Sequence, residues 1–395
     1  MDIKQRAANI EYALVQGFYW MGFCVSVSFA AVFLQYKGYS NSQLGLVMAA
    51  GNVFGFLLSP FLASVVDRSR RITVCHCILA LLAMQALFLV SFILIPERSL
   101  LLSVCYSLYM ACIIAVNPLN TQLSFELEHG GFHINYGAAR GTGSLFFALI
   151  AILLGRLTVR CGAGMLPAAG LCCIAAQGAI LLPTALRRGR GLSGGFSGRR
   201  QEAAGSTLPE FIRANRRFCA MMLGVALLFF AHNLVNNYLI NVVRNVGGDS
   251  ASMGSLNAFM ALFELPAMFL YDRLTRRVSC SVTLRFAAVV FALKALAIAL
   301  SVNMAMLYAA HLLQALSFAV LTPALVRYVN LTIDHRDSVK GQAISYGMTT
   351  LGSIFSSSLG GLMFDAFSVS TTLLIGSAAS ALGAAVCIGF TEQSE

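Results

Sequence analysis

Three ionisable residues lie deep inside long apolar runs of the sequence: Glu264, Lys294 and His311. On insertion scales, a charged side chain at the centre of a membrane helix costs about 2.5–3.5 kcal/mol unless it is paired or hydrated. A carboxyl group removed from water favours its protonated form, and an imidazole titrates near neutral pH. The trio therefore predicts a site that binds and releases a proton, with Lys294 and His311 as charge partners of Glu264. A static salt bridge between Glu264 and Lys294 explains the same residues and stays open as an alternative.

A stripe of polar side chains runs along the segment HNLVNNYLIN, residues 232–241. Its members are His232, Asn233, Asn236, Asn237 and Asn241. A spacing of four residues, with neighbours one step round, places them on one side of a helix. Amides donate and accept hydrogen bonds, which suits the lining of a solute cavity, although contact between helices is another use of such a stripe in membranes. Further cavity candidates are polar-tipped aromatic residues and amides: Gln16, Tyr19, Trp20, Tyr238 and Gln314.

These residues belong to a chain that is too apolar for a soluble domain. Of its 395 residues, 58% are hydrophobic and 11% charged, and the mean hydropathy is +0.77, whereas about a quarter of the residues of a soluble domain are charged. Lipid admits only helices or closed barrels, and apolar runs that continue over about 20 residues favour helices. The expected fold class is an all-α membrane protein with twelve transmembrane helices. The windows lie at about 10–35, 43–66, 72–95, 99–124, 139–159, 164–186, 216–243, 251–271, 279–301, 304–327, 340–364 and 368–390.

The formal net charge of +11 has a topological meaning. Most Lys and Arg residues fall on one side of the predicted helices, and the positive-inside rule then places both termini in the cytoplasm. Because loop position accounts for the basic charge, we expect no nucleic acid partner. The first apolar run follows Lys4 and Arg6 and is too long for a secretory signal, so it is expected to be a permanent helix. The opposite face keeps only a few clear cations: Lys37, Arg98, Arg156, Arg160 and Arg244.

Residues 187–215 form the longest polar stretch and are rich in Gly, Ser and Arg, a composition typical of a flexible linker. We expect this linker to lie in the cytoplasm and to separate two six-helix bundles, residues 1–186 and 216–395. A short repeat relates the bundles, because PFLASVVDRSRR (60–71) and PAMFLYDRLTRR (266–277) share a proline, an Asp-Arg pair and a basic pair. Two parallel six-helix repeats are a transporter architecture, in which the substrate site lies near the midplane.

At the repeated Asp-Arg loops the chain resembles the major facilitator superfamily, whose signature between helices 2 and 3 is matched by Asp67, Arg68 and Arg71. The segments YGAARGTGS (136–144), FELP (263–266) and HLLQALSF (311–318) are similar to those of the branch that contains lactose permease, nucleoside permeases and phenylpropionate-type permeases. The resemblance covers essentially the whole chain. It implies a secondary active transporter that moves a sugar, nucleoside or aromatic acid by alternating access, with proton symport.

A gate at the cytoplasmic helix ends is also expected, because an Asp beside an Arg-rich loop can pair differently in two conformations. Within this set, Glu126 and Arg140 flank one loop, and a static interfacial ion pair is the alternative to gating. The gating candidates are Asp67, Arg68, Arg71, Asp272, Arg273, Glu126 and Arg140.

The sequence departs from the lactose permease pattern in helix 10. Gln314 stands where a histidine is usual, and Ser317 stands where lactose permease has a glutamate. The resemblance therefore implies neither galactoside recognition in the lactose permease manner nor a copy of its proton relay.

The sequence contains no G-x-x-x-x-G-K-[ST] element, so direct coupling to ATP through this chain is not expected. We expect no enzymatic activity, cofactor or metal; Cys75 and Cys77 flank His76, but membrane-embedded thiols mostly act as small apolar groups. The expected partners are a small solute, protons and membrane lipids, and the chain is expected to be a monomer in the cytoplasmic membrane of a bacterium. An efflux transporter of the same fold and a solute-sensing receptor that does not transport both stay open.

Overall fold

The structure is a computed structural model that describes residues 3–69, 72–129, 131–188, 206–274 and 278–393. In this part of the chain all regular structure is helical. The first helices are α1 (Ile3–Phe23), α2 (Ala30–Tyr36), α3 (Asn41–Arg68), α4 (Val74–Leu94), α5 (Leu100–His129), α6 (Tyr136–Cys161) and α7 (Leu166–Arg188). After the linker follow α8 (Leu208–Ala214), α9 (Arg216–Asn237), α10 (Leu239–Asn245), α11 (Ser250–Leu274), α12 (Cys280–Ala299), α13 (Met304–Leu312), α14 (Phe318–Thr332), α15 (Ser338–Ala366) and α16 (Val369–Phe390).

The predicted fold class is confirmed, and each of the twelve apolar windows falls on a helix or a broken helix pair. Among the described residues, nine helices are long and apolar enough to cross a membrane, or ten if the bent pair α1 and α2 is one span. The remaining two windows are occupied by α11 and α15, which have 25 and 29 residues. At about 1.5 Å per residue, both exceed the ~30 Å of a hydrocarbon core.

Three spans are interrupted, and each interruption lies near predicted site residues. A π-helical turn, Cys24–Ser28, separates α1 from α2, which are bent by 47°. Tyr238 leaves helical geometry between α9 and α10, and the turn Leu313–Ala315 separates α13 from α14. Irregular backbone at membrane depth is tolerated where it is buried in protein or lines a cavity. The interruptions therefore mark positions at which a functional requirement can outweigh the formation of a regular helix.

The chain divides into two compact units. The first unit consists of Met1–Gly198 with Ser250–Ala261, and the second consists of Arg199–Asp249 with Leu262–Glu395. The division of residues 1–186, 187–215 and 216–395 stays a prediction, because most of the linker lies outside the described residues. Its last part is described, and there α8 begins with a capping box between Thr207 and Glu210.

An aromatic cluster fills part of the first unit. The ring centroids of Phe92 and Tyr106 are 5.2 Å apart, and those of Phe33 and Phe92 are 5.8 Å apart. Tyr109 packs edge-on against Phe92 at 5.4 Å. All four side chains are almost fully buried, and the Lys37 ammonium lies 5.6 Å from the centre of the Phe33 ring.

Backbone contact holds α9 against α16 in the second unit. A Cβ atom at Gly224 would lie 2.7 Å from the carbonyl oxygen of Gly383, closer than real Cβ contacts allow. Glycine at both positions therefore permits an approach that any side chain would prevent. The same kind of contact joins α15 to α9, where a Cβ at Gly352 would lie 2.6 Å from the carbonyl oxygen of Ala226.

The eleven cysteines are free thiols, and nine of them are buried or partly buried. The two exposed ones are Cys161, the last residue of α6, and Cys172 in α7. Cys75 and Cys77 are buried in α4.

Candidate functional site

Lys294 is the centre of a polar chain in the second unit. It lies on α12 with 3% of its surface exposed. Its Nζ atom donates to Gln314 Oε1 at 2.6 Å and lies 3.0 Å from His232 Nδ1. The ammonium group also lies 5.0 Å from the centre of the Phe291 ring, a distance at which cation–π attraction operates. A buried ammonium is thus compensated by an amide, an imidazole and an aromatic face.

Gln314 continues the chain to the predicted carboxylate. Its Nε2 atom donates to Glu264 Oε1 at 2.7 Å. With Lys294 charged and Glu264 ionised, the amide accepts from a cation and donates to an anion, so both hydrogen bonds are charge-assisted. Gln314 lies on the irregular turn between α13 and α14, which presents its side chain to two other helices. The structure therefore brings Glu264 and Lys294 together through an amide.

His232 forms the other end of the chain. Its Nδ1 atom lies 3.0 Å from Lys294 Nζ, and its Nε2 atom lies 3.0 Å from Asn236 Nδ2. A neutral imidazole has one acceptor nitrogen, so it accepts a hydrogen bond from one of these two groups. The ring stacks on Phe318 with centroids 4.9 Å apart and planes 20° apart, so its orientation is restricted by packing. We refer to Glu264, Gln314, Lys294, His232 and Asn236 as the polar chain.

His311, the third member of the predicted trio, makes a different contact. It is 1% exposed, and its Nδ1 atom lies 2.8 Å from the carbonyl oxygen of Leu307 on the same helix. The imidazole that contacts Lys294 directly is that of His232, which the sequence assigned to the cavity. This contact had no separate signal in the sequence, because it depends on the packing of α9 against α12. The role of His311 as a charge partner of Glu264 stays a prediction.

The asparagines of the 232–241 stripe fall into two groups, one that joins helices and one that is accessible. Asn237 is 8% exposed, and its Nδ2 atom donates to Ser357 Oγ at 2.9 Å. The hydroxyl of Tyr238 donates to the carbonyl oxygen of Ser357 at 2.6 Å. These bonds join α9 to α15. Asn233, Asn236 and Asn241 are only partly buried, so the stripe contains both a helix contact and accessible amides.

In the first unit, Trp20 is the centre of a second cluster. The guanidinium of Arg140 lies 4.0 Å from the centre of the indole ring and donates to Ser144 Oγ at 3.0 Å. Tyr19 and Phe23 pack against the indole with centroids 5.3 Å and 5.1 Å away. Within the described residues, the buried Nε1 atom of Trp20 has no hydrogen-bond acceptor. An indole N–H that is buried without an acceptor is unfavourable, and a bound solute could supply one.

The glycine at position 143 permits this cluster. A Cβ atom there would lie 2.5 Å from the indole of Trp20, so any side chain would displace the indole or force α6 away from α1. Gly143 belongs to the YGAARGTGS segment, and the contact with Trp20 explains why this position of the segment has a glycine.

Gln16 and Tyr19 also lie in the first unit, and both are buried. Gln16 Nε2 donates to the hydroxyl of Tyr12 at 2.8 Å, and that hydroxyl donates to the carbonyl oxygen of Asn120 at 3.1 Å. Tyr19 donates to the carbonyl oxygen of Ile113 at 3.3 Å. The side chain of Asn120 is fully buried, and neither of its amide atoms has a partner in the described chain. Sequence reasoning missed Asn120 as a candidate.

The gating candidates are described only in part. Asp67 and Arg68 lie at the end of α3, and Asp272 and Arg273 lie at the end of α11, but their side chains are outside the described set. Arg71 lies outside the described residues altogether. Gating by these residues stays a prediction, as does the pairing of Glu126 with Arg140.

The chain matches the sequence model of the MFS_1 like family over residues 10–375. Maltose permease of Geobacillus stearothermophilus is 26% identical to it, over 91% of this chain and 88% of that protein. The transporter YwbF of Bacillus subtilis (strain 168) is 23% identical, over 92% of this chain and 90% of that protein.

Two solved structures show the same fold. A variant of the nucleoside transporter NupG superposes with a TM-score of 0.79 at 13% identity, covering 97% of this chain and all of that chain. A variant of the peptide transporter POT superposes with a TM-score of 0.77 at 11% identity, covering 98% of this chain and 96% of that chain.

Proposed function

The chain belongs to the MFS_1 like family of membrane transporters, and from this premise we propose that it imports a small organic solute by alternating access, driven by proton symport. The observation that carries the proposal is the polar chain from Glu264 through Gln314 and Lys294 to His232. Ionisable groups at membrane depth are rare and mark proton pathways in transporters. A partly buried carboxyl linked to a buried ammonium suits a reversible carrier, because each group can lose or gain a proton.

Coupling requires that protonation change which conformation is favoured. With Glu264 ionised, Gln314 holds the carboxylate and the Lys294 ammonium in one hydrogen-bonded unit. A proton on Glu264 removes the anion and leaves the buried ammonium with neutral partners only, which is less favourable than a compensated pair. Because Gln314 lies on the irregular turn 313–315, we expect its amide to reorient at this step. Glu264 is therefore the proposed proton carrier, and Lys294 and His232 are its proposed charge partners.

We propose a neutral polyhydroxy solute, a sugar, as the substrate class. The relative named maltose permease supports this class. Trp20 offers an apolar ring edge and an N–H without an acceptor, and sugars present both hydroxyl acceptors and apolar C–H faces. Asn233 and Asn241 are partly exposed amides that suit hydroxyl groups. Nucleosides and aromatic acids are the competing classes.

The proposed location is the cytoplasmic membrane of a bacterium, with both termini in the cytoplasm and the chain acting as a monomer. The positive-inside distribution of Lys and Arg supports this orientation. The gate proposed at the ends of α3 and α11 would then lie on the cytoplasmic face.

Transport by the purified protein in liposomes tests the proposal. A panel of radiolabelled sugars, nucleosides and aromatic acids is offered under an inside-alkaline pH gradient. Accumulation of a sugar that a protonophore abolishes is the expected result. Solute binding without flux would favour a receptor, and accumulation only under the reversed gradient would favour efflux.

A further inference from the structure

A groove on the first unit lies between α3 and α5, outside the polar chain and the Trp20 cluster. Its volume is about 710 Å³, within the range of small-molecule sites. Small side chains form its floor, among them Ala50, Ser103 and Ser107. The Ser107 hydroxyl donates to the carbonyl oxygen of Val47 at 3.0 Å, which holds the two helices together beneath the groove.

Large apolar side chains form the walls of the groove. These are Leu46 and Phe54 on α3 and Leu100, Val104 and Leu108 on α5, and all five are exposed. From Gln43 to Phe54, α3 rises about 16 Å at 1.5 Å per residue. One leaflet of a bilayer contributes about half of the ~30 Å hydrocarbon core. The groove therefore extends through about one leaflet, starting where both helices begin.

Polar and cationic groups gather at that starting end. Arg98 is exposed, and it donates to Gln43 Oε1 at 3.3 Å. Its backbone N–H donates to the carbonyl oxygen of Lys37 at 3.0 Å, which places a second cation in the same loop region. The exposed Glu97 offsets one charge, so the region keeps one net positive charge. Along the groove, Arg98 and Gln43 come first and the apolar slot follows. This is the order in which a phospholipid presents its headgroup and then its acyl chain.

We propose that this groove binds an anionic phospholipid, with the phosphate on Arg98 and one acyl chain along the slot. Charge complementarity selects the headgroup, since an arginine fork binds phosphate oxygens in a bidentate manner. The apolar walls select a hydrocarbon chain over a polar solute. Arg98 is also one of the few cations that the sequence assigns to its side of the membrane, so an anion there has few competing sites.

Native mass spectrometry of the delipidated full-length protein tests this site, with phosphatidylglycerol and phosphatidylcholine titrated separately. One arginine near a membrane surface contributes about a fivefold preference for an anionic lipid. We expect tighter retention of phosphatidylglycerol, and loss of that preference in Arg98→Gln. Arg160→Gln is the matched control, because Arg160 is another exposed arginine that is assigned to the same side.

Two variants that fill the slot test the acyl chain separately from the headgroup. Ala50→Leu fills the floor, and Val104→Trp narrows the slot from an exposed wall, so at least one of them is expected to fold. Both should reduce retention of both lipids, and thermal unfolding of each variant checks its fold. Equal losses in Arg160→Gln and Arg98→Gln, or unchanged retention in folded slot variants, would overturn the proposal. A change from dimer to monomer in Val104→Trp would also overturn it and assign the groove to a second copy of the chain.

Discussion

The two units have residues of different chemistry at positions that the internal repeat relates. Pro60 and Pro266 differ by 206 residues, and Pro118 and Pro323 differ by 205, so the repeat extends beyond the Asp-Arg loops. At this offset, Leu89 stands in the first unit where the second has Lys294, and Tyr109 stands where it has Gln314. Leu89 and Tyr109 are buried and uncharged, whereas Lys294 and Gln314 belong to the polar chain.

The same contrast between the two units applies to His232. Ser26 stands 206 residues before His232, which is the offset between Pro60 and Pro266, and its hydroxyl shares a hydrogen bond with that of Tyr109. The scaffold therefore keeps a polar contact between equivalent helices in both units. The chemistry differs, because Ser26 and Tyr109 share neutral hydroxyls whereas His232 contacts an ammonium. At these compared positions, the second unit has a charged group and the first unit has none.

The two units also differ in the regularity of one helix, at the positions where their chemistry differs. In the first unit, α5 runs unbroken over 30 residues although it contains Pro118. In the second unit, the equivalent span is interrupted at residues 313–317, well before Pro323. Proline alone therefore does not explain the interruption. It coincides with Gln314, whose side chain reaches both Lys294 and Glu264.

The largest expected effect follows from removing the titratable carboxyl of the polar chain. Glu264→Gln should abolish pH-driven accumulation while solute exchange continues, because the amide mimics the protonated carboxyl. Uptake and counterflow in the same liposomes measure the two properties. The double variant Glu264→Gln with Lys294→Leu is the decisive control, since it copies Leu89. Proton-driven accumulation by that double variant would show that the pair is only a structural salt bridge.

A smaller effect is expected from the Trp20 cluster. Trp20→Phe keeps an aromatic ring but removes the N–H, and one hydrogen bond contributes about 0.5–1.5 kcal/mol. We expect the KM for the solute to rise about two- to tenfold with an unchanged pH profile. Tyr36→Phe, at an exposed tyrosine of α2, serves as the control. A shifted pH profile in Trp20→Phe would contradict the separation of solute binding from coupling.

The divided asparagine stripe gives a third test. Asn237→Ala removes the bond to Ser357 and should lower the free energy of unfolding by about 1 kcal/mol, with little change in KM. Asn233→Ala should do the reverse, raising KM without lowering the melting temperature, because Asn233 is a partly exposed amide. Thermal unfolding and uptake kinetics of both variants separate the roles. Equal destabilisation by both changes would mean that the whole stripe serves packing.

The smallest effect concerns the contact of Asp337 with Ser206 near the end of the linker, which we call the linker anchor. This contact lies in the second unit. Asp337 accepts from the Ser206 hydroxyl at 2.7 Å and pairs with Lys340 at 2.7 Å. The hydrogen bonds from Lys340 and Ser206 lower the pKa of Asp337 below its usual value of 3.8. A carboxyl with a depressed pKa stabilises the folded state above the unfolded pKa, and this contribution is lost as the pH falls through the folded pKa.

Limited proteolysis near residue 206 measures this anchor. Asp337→Asn should be cleaved slightly faster than the parent protein at neutral pH, and the difference should shrink only as the pH falls below 3.8 and Asp337 takes up its proton. Glu392→Gln is the control, since Glu392 forms an exposed pair with Arg217 at 3.8 Å. A difference that persists at low pH would show that the anchor does not depend on the charge of Asp337.

The fold could be predicted because hydropathy and loop charge act on whole segments of about 20 residues. The three interruptions could not, because Cys24–Ser28, Tyr238 and Leu313–Ala315 contain no proline or glycine that would predict a break in a helix. Glu264 and Lys294 were found from the cost of burying charge. Gln314 and His232 were found only as polar residues, since their link to Lys294 depends on how α9, α12 and the 313–315 turn pack.

The exposed thiol of Cys161 provides a chemical reporter of orientation. It ends α6 beside Arg160, on the side that the charge distribution assigns to the cell exterior. The other exposed thiol, Cys172, lies within the apolar helix α7, where a water-soluble maleimide reacts poorly. After Cys172→Ser, a membrane-impermeant maleimide added to intact cells would therefore report the sidedness of the chain from one native residue.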